Sequence, residues 1–251
     1  MQPSRGVGDT PVVARGMFGA RLDLAERYVA LLADTGISHG LIGPREAPRL
    51  WDRHVINCAV TAGFFDPAAS VIDLGSGAGL PGLVLAIARP DLRLHLVEPL
   101  LRRTTWLESA VRELGLTNVR VHRARGESFV PESPADHVTA RAVTGLDRLV
   151  ELSFPLLRAG GSLVALKGAN VAAEIEAAAP TLRRYAVAST EVREAGVGVV
   201  DPPTTLVIVT AGAGHRSGTP TRSPRRSGDV RRSADARGRS GGRASRGRQD
   251  R

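Results

Sequence analysis

The chain has 251 residues, 42% of them hydrophobic, and a formal net charge of +9, so it can form the core of one α/β domain with short additions. Cys58 is its only cysteine, which excludes an internal disulfide and a Cys/His zinc site and favours a reducing compartment. No apolar run approaches the length of a membrane span, and we expect a cytoplasmic protein that binds no metal and contacts no membrane.

Two helices are predicted before the first strand. Residues 1–16 are rich in glycine, proline and small side chains, and we expect them to form a loose N-terminus. Apolar side chains then recur at helical spacing over Phe18–Ala33, and Gly36 ends this first helix. The second helix covers Glu46–Ala62 and ends at Gly63. We expect both helices to cap the sheet or a cofactor pocket at its edge.

Strands and helices alternate through residues 17–211, which we predict to form one domain. The predicted strands are Ser70–Leu74, Leu92–Glu98, Val119–Arg123, Asp136–Ala140, Ser162–Lys167, Tyr185–Val192 and Thr204–Thr210. The predicted helices between them are Leu83–Ala88, Leu101–Leu114, Gly145–Leu157 and Val171–Leu182. Only glycine and proline turns separate the last two strands, which predicts an antiparallel hairpin at one edge. Seven strands in this order are typical of a methyltransferase sheet and not of a dehydrogenase sheet.

The turn after the first predicted strand is rich in glycine and follows an acid, Asp73. Gly77, Gly79 and Gly82 satisfy the dinucleotide pattern G-x-G-x-x-G, which is a weak signal by itself. Gly75, Gly77 and Gly79 instead form the loop typical of S-adenosylmethionine sites, where side chains would collide with the methionine part of the cofactor. Asp73 would accept hydrogen bonds from the loop or from the cofactor's ammonium group.

The second predicted strand ends at another acid, Glu98, with Pro99 after it. A carboxylate at this tip can accept hydrogen bonds from both ribose hydroxyls of either cofactor. The rest of the chain favours S-adenosylmethionine, because it has no room for a separate dehydrogenase substrate domain. The alternative is a glycine turn beside a solvated acid, with no ligand.

Ligands of parallel sheets bind beyond the carboxyl ends of the strands. Gly126 and Glu127 follow the third strand, where they could meet the adenine edge or simply begin a helix. Arg141 follows the fourth strand, where the methyl group and its acceptor should meet. It could hold the methionine carboxylate, a phosphate or a base edge, and we predict that it is catalytic; the alternative is a surface arginine.

Two further cations are candidate RNA contacts. Lys167 is the only lysine and lies at the tip of the fifth predicted parallel strand, where it would contact phosphate or remain a surface residue. Arg125 would belong to a basic rim with Arg102 and Arg103, or to a solvated charged face. A single helical histidine such as His54 is usually a packing residue, and Cys58 is expected in the core.

The C-terminal stretch, residues 212–251, contains 12 arginines and three aspartates, so the rest of the chain is formally neutral. It is rich in Arg, Ser and Gly and poor in apolar side chains, and we expect it to be disordered. Such a tail binds RNA phosphates without sequence preference. The alternative is an extension without function.

Three motifs in this order resemble a known family. They are Asp73–Gly82 (D-L-G-S-G-A-G-L-P-G), Arg141 followed by Ala-Val, and Ala165–Gly168 (A-L-K-G). The chain resembles the bacterial small-subunit ribosomal RNA (guanine-N7)-methyltransferases, also called glucose-inhibited division protein B, and Trp51–His54 (W-D-R-H) agrees with it. The resemblance covers about residues 18–210 and implies the Rossmann-like fold of class I S-adenosylmethionine-dependent methyltransferases.

The resemblance also implies an activity. S-adenosylmethionine would methylate N7 of one guanine in the decoding-region loop of 16S rRNA, and the expected partner of a monomeric enzyme is the small ribosomal subunit. Cofactor contacts carried over by motif are Gly75, Leu80, Gly126, Glu127 and Arg141. Guanine N7 carries no proton, so the reaction requires positioning but no general base.

Two other functions remain open from the sequence. A class I methyltransferase could act on another RNA, a protein or a small molecule, because the fold does not fix the substrate. A non-catalytic protein could bind RNA through the arginine-rich tail alone.

Overall fold

The computed structural model describes residues 7–141 and 144–218. In this part of the chain the strands are β1 Ser70–Leu74, β2 Arg93–Glu98, β3 Val119–Arg123, β4 Ala135–Arg141, β5 Leu157–Lys167, β6 Val187–Ala195 and β7 Thr204–Ala211. The α-helices are α1 Val12–Phe18, α2 Leu22–Leu31, α3 Asn57–Ala59, α4 Gly82–Ala88, α5 Leu101–Leu114, α6 Leu146–Ser153 and α7 Val171–Arg184.

The seven strands form one sheet in the order β3-β2-β1-β4-β5-β7-β6. Strands β1 to β5 are parallel, whereas β7 is antiparallel to both β5 and β6. The sheet confirms the predicted seven-stranded α/β fold with a hairpin at one edge. Its parallel strands place the ends of β1 to β5 along one edge, where a ligand site is expected.

Hydrophobic cores cover both faces of the sheet. Side chains alternate along a strand, so Val71 of β1 joins the core that contains α2, α4 and α5, whereas Ile72 and Leu74 join the core that contains α6 and α7. The central strands are therefore buried on both sides. This burial fixes the position of the residues that follow each strand.

Strand β5 begins at Leu157 and not at Ser162 as predicted. Its register with β4 shifts between Ala135 and His137, and Gly160 adopts a φ of +71°, so the early part of the strand bulges. The preceding helix α6 ends before a 3₁₀ turn that contains Pro155, whose ring cannot continue an α-helix.

The expected loose segment, residues 1–16, is helical from Val12 onwards, and residues 1–6 lie outside the described part of the chain. Helix α1 begins at Val12 and buries Ala14 and Phe18. A 3₁₀ turn, Gly19–Arg21, separates it from α2, and the chain leaves α2 through a π-helical turn, Leu32–Gly36. A short helix of this kind is stabilised by the apolar side chains that it buries and not by its intrinsic propensity.

The second predicted helix, Glu46–Ala62, is also not a regular α-helix. It consists of a 3₁₀ segment, Pro44–Arg49, a π-helical segment, Leu50–Ile56, and then α3. Pro48 lies inside the 3₁₀ segment, and its missing N–H and its ring disfavour an α-helix there. We refer to residues 44–59 as the pre-strand segment.

The N-terminal helices cover the glycine turn, as expected of a cap. Helix α2 packs on α4 and α5, and its Tyr28 is completely buried. The Tyr28 hydroxyl donates a hydrogen bond of 2.8 Å to the carbonyl oxygen of Ala78 in the turn. The cap therefore holds the backbone of the turn directly.

The first residues of the expected disordered tail pack on the domain. His215 Nε2 lies 2.9 Å from the carbonyl oxygen of Phe154, and the two rings meet edge to face. The Gly218 N–H donates to the carbonyl oxygen of Pro155 at 2.9 Å. The expectation of disorder is therefore wrong for residues 212–218, and residues 219–251 lie outside the described part of the chain.

Within the described residues, no helix has the length and apolar character needed to cross a membrane.

Replacing Tyr28 with Phe removes the hydroxyl that bonds the Ala78 carbonyl. The buried oxygen loses its partner, so we expect the free energy of unfolding to fall by about 1–2 kcal/mol in urea denaturation without cofactor. Tyr185→Phe is the matched control, because the half-buried Tyr185 ring packs edge to face on Phe154 and keeps that contact without its hydroxyl; its loss of stability should stay below about 0.5 kcal/mol. Equal losses in both variants would contradict this role of Tyr28.

Candidate functional site

The backbone of the turn after β1 requires its glycines. Gly75, Gly77 and Gly79 have φ angles of +69°, +55° and +89°, a region that other residues rarely adopt. A Cβ atom on Gly79 would also lie 2.6 Å from Cγ of Leu83. The three glycines therefore allow a narrow turn that leaves backbone accessible to a ligand.

Asp73 lies completely buried beneath this turn. Its Oδ2 accepts a hydrogen bond of 3.1 Å from the N–H of Gly82, and its backbone oxygen accepts one of 2.9 Å from the Ser76 hydroxyl. Burial raises the pKa of the Asp73 carboxyl to about 7. Its Oδ1 is buried and has no hydrogen-bond partner among the described residues, so the site can accept a donor from a ligand.

Gly82 has no space for a side chain. A Cβ atom there would lie 2.6 Å from Oδ2 of Asp73 and would also collide with Leu96 of β2. The close approach lets the first N–H of α4 reach the buried carboxylate.

Half-buried Leu80 packs against the core beside the turn, in the position that the resemblance assigns to a cofactor contact.

Glu98 at the end of β2 holds the same turn from the other side. Its side chain is 2% exposed, and Nη1 of Arg103 lies 3.7 Å away. Oε2 accepts from the N–H of Gly77 and Oε1 from that of Leu100, each at 3.1 Å. A carboxylate oxygen can accept a second hydrogen bond, so these contacts are compatible with the predicted ribose contact.

Gly126 and Glu127 form a 3₁₀ turn after β3, which brings them to the edge where β1 and β2 end. Gly126 lies beside Leu74 and Leu152. The exposed Glu127 carboxylate is 2.7 Å from Nη2 of Arg148 on α6; its own backbone N–H and Arg148 lower its pKa. The contact of Gly126 and Glu127 with adenine stays a prediction.

Arg141 at the end of β4 points to the pre-strand segment. Its Nη2 donates to the carbonyl oxygen of Arg53 at 3.2 Å and lies 2.8 Å from Nδ1 of His54. Its Nη1 donates to Sγ of Cys58 at 3.3 Å. Cys58 is buried, as expected, and burial raises the pKa of its thiol. Arg141 is thus an ordered side chain and not a free surface arginine.

Lys167 lies at the end of β5, where the sequence predicts either a phosphate contact or a surface lysine. Its side chain is only 8% exposed, and its Nζ lies 2.6 Å from Oε2 of Glu174 on α7. Nζ also donates to the carbonyl oxygen of Thr144 at 2.9 Å. The ammonium is paired within the domain, but Lys167 also lines a cavity beside Arg141, and its contact with RNA phosphate stays a prediction. Exposed Arg125 begins the 3₁₀ turn after β3 and stays only a predicted contact.

A cavity of about 970 Å³ opens beside Arg141 and Lys167. The pre-strand segment forms one wall with Arg49, Asp52 and Arg53, and the β6–β7 loop forms another with Val199–Thr204. None of these wall residues is predicted as a site residue from the sequence. The charged stretch around Trp51–His54 is the sequence feature that could have indicated them. Only the fold shows that this stretch lies opposite the end of β4. No potential metal cluster of His, Cys, Asp or Glu occurs among the described residues.

Comparisons with known proteins agree with this geometry. A family model described as rRNA small subunit methyltransferase G matches residues 21–197. The ribosomal RNA small subunit methyltransferase G of Thermobifida fusca is 54% identical over 218 residues, which cover 86% of this chain and 92% of that protein. The protein of the same name from a Nocardioides species is 53% identical over 237 residues, covering 94% and 95%.

A solved structure supports the fold alone. The crystal structure of a predicted O-methyltransferase from Agrobacterium tumefaciens has a TM-score of 0.50 and 16% sequence identity, covering 66% of this chain and 83% of that chain. Together with the family match, which covers β1 to β6, the glycine turn and the two acids identify the type of enzyme. The chain belongs to the rRNA small subunit methyltransferase G family, and its cofactor is S-adenosylmethionine.

Proposed function

We propose that the protein transfers the methyl group of S-adenosylmethionine to N7 of one guanine in the decoding-region loop of 16S rRNA. The observation that supports this most is that the turn held by Asp73 and Glu98 follows β1, on the same sheet edge as Arg141 and its cavity. The names of the relatives support a small-subunit ribosomal RNA as substrate. We further propose a monomer that acts in the cytoplasm.

The residues of the turn fit the cofactor. The buried Oδ1 of Asp73 lacks a donor among the described residues, and a ligand's ammonium group would supply one. Glu98 at the end of β2 would accept hydrogen bonds from the ribose hydroxyls, and Gly126 and Glu127 after β3 would contact adenine. The cofactor, when bound, supplies an electrophilic methyl group on a sulfonium.

The cavity fits a guanine with flanking phosphates. Arg141 has N–H donors for O6 of the base, and the exposed Arg49 and Arg53 at the wall offer cations to the RNA backbone. Asp52 and Asp201 also line it, and carboxylates can accept from N1–H and N2–H of guanine. Adenine lacks those donors, so this set of groups favours guanine.

The reaction then depends on positioning. Guanine N7 has a free lone pair and loses no proton, so the protein needs no general base. Arg141 would orient the base so that N7 lies in line with the methyl group, which can supply much of the rate enhancement. The N-terminal cap and the β6–β7 loop would exclude water from the reacting groups.

The first test is methyl transfer to small ribosomal subunits that lack the modification, with mapping of the labelled base. We expect a single N7-methylguanine in the decoding-region loop. Arg141→Ala should reduce the rate by roughly 100-fold, because the acceptor loses its orientation, whereas Arg112→Ala on the exposed face of α5 should not change it. Cofactor binding without transfer to ribosomal RNA would instead support a different acceptor.

Cofactor binding should depend on the ionisation of Asp73. Burial raises its pKa to about 7, so the carboxyl is largely protonated at pH 5.5, whereas an ammonium ligand favours the carboxylate. We expect affinity for S-adenosylhomocysteine to rise between pH 5.5 and 7.5, by up to about tenfold per pH unit, with release of a proton. Calorimetry in buffers of different ionisation enthalpy measures both effects.

Asp73→Asn is the control for this pH dependence. It should bind more weakly and with little dependence on pH, and an unchanged slope would contradict the assignment to Asp73. Because the raised pKa makes the folded state bind the proton more tightly than the unfolded state, the cofactor-free wild type should lose stability as pH rises from about 4 to 7. The Asn variant should lose less over the same range.

We also propose that the arginine-rich C-terminal stretch increases affinity for RNA. Residues 219–251 contain 11 arginines and three aspartates. Removing them should weaken RNA binding and flatten its salt dependence, while cofactor affinity stays unchanged because the glycine turn is intact. RNA affinity measured over a range of salt concentrations checks this, and an unchanged affinity would favour an extension without function.

A further inference from the structure

The orientation of Arg141 depends on acceptors in the pre-strand segment. A guanidinium has five N–H groups and accepts no hydrogen bond. Three of these N–H groups are used by the contacts with Arg53, His54 and Cys58. The shortest contact, 2.8 Å, is with Nδ1 of His54, so this imidazole is the main side-chain acceptor.

The contacts with Arg141 and Glu46 together favour one tautomer of His54. Since the arginine can only donate, Nδ1 must be unprotonated, and the ring proton is on Nε2. Nε2 lies 2.9 Å from Oε2 of Glu46, and a carboxylate is the right partner for that N–H. Glu46 therefore selects the tautomer in which Nδ1 can accept from Arg141.

The surroundings of His54 keep it neutral. Burial lowers its pKa most, and the positive charges of Arg141 and Arg53 add to that effect, whereas Glu46 opposes it. The side chain is 13% exposed. Protonation would place a donor on Nδ1 opposite the guanidinium of Arg141, so the hydrogen bond would be lost and two cations would face each other.

We propose that His54 and Glu46 are positioning residues, which hold Arg141 in the orientation that methyl transfer requires. This inference rests on the proposed role of the cavity beside Arg141. Neither residue lines that cavity, so both act through Arg141. Arg141 is thereby fixed before the acceptor arrives, which removes part of the entropic cost of ordering it.

Two substitutions of His54 separate its two nitrogen atoms. In His54→Asn, the amide oxygen can take the place of Nδ1 and still accept from Arg141. In His54→Gln, the longer side chain places its amide near Glu46 and leaves Arg141 without this acceptor. At pH 7.5 and saturating S-adenosylmethionine, we expect kcat to fall at least tenfold in His54→Gln and to stay within about threefold of the wild type in His54→Asn.

The pH profile distinguishes this role from a purely structural one. The wild-type kcat should decline below the ordinary imidazole pKa of about 6.5, because protonated His54 releases Arg141. The decline should be absent in His54→Asn, which does not titrate. At saturating cofactor, the ionisation of Asp73 does not contribute to this decline of kcat at low pH.

The tautomer can be measured without any methyl transfer. Nitrogen-15 NMR of the histidine rings should show His54 protonated on Nε2 in the wild type, and a mixture of tautomers in Glu46→Ala. Calorimetry with S-adenosylhomocysteine should give equal affinity for all variants, which shows that the glycine turn remains folded.

Equal losses of kcat in the Asn and Gln variants, or an acid limb that persists in His54→Asn, would overturn the positioning role. A wild-type His54 protonated on Nδ1 would overturn it as well. Failure of the proposed function is seen separately, as a wild-type enzyme that binds cofactor and methylates no ribosomal RNA, while the NMR result still decides whether His54 holds Arg141.

Discussion

Two buried carboxylates hold the glycine turn on which the rest of the site depends. Asp73 and Glu98 end neighbouring strands and accept the N–H groups of Gly82 and Gly77. Burying charge is costly unless it is hydrogen-bonded, so the turn must keep the geometry that presents those N–H groups. That geometry sets the end of β1, the start of α4 and the space left for the cofactor.

The N-terminal layer connects this turn with the acceptor cavity. Tyr28 bonds the turn at Ala78, and the pre-strand segment holds Arg141 through His54. Both contacts come from residues that precede the sheet in the chain. The N-terminal layer therefore contacts both the glycine turn and Arg141, so it supports the cofactor half and the acceptor half of the site together.

The sequence predicted the sheet and the glycine turn well because both depend on local patterns. Apolar runs mark strands that are buried on both faces, and glycine and acid positions mark the turn. Contacts between distant segments could not be predicted in this way. The pairing of Lys167 with Glu174 depends on where α7 lies, and the contact of Arg141 with His54 joins residues that only the fold brings together. Helix α1 was missed because tertiary burial, and not propensity, stabilises it.

The reversal of the last strand has a consequence for how the enzyme can diversify. Because β7 is antiparallel to β5, the β6–β7 loop returns to the sheet edge where the parallel strands end and forms a wall of the cavity. Loops that follow parallel strands must lead into a crossover helix, which restricts their length and path. The β6–β7 loop does not have to lead into a crossover helix. Its length and sequence can therefore change in evolution to suit a new acceptor, while the cofactor half of the fold stays unchanged.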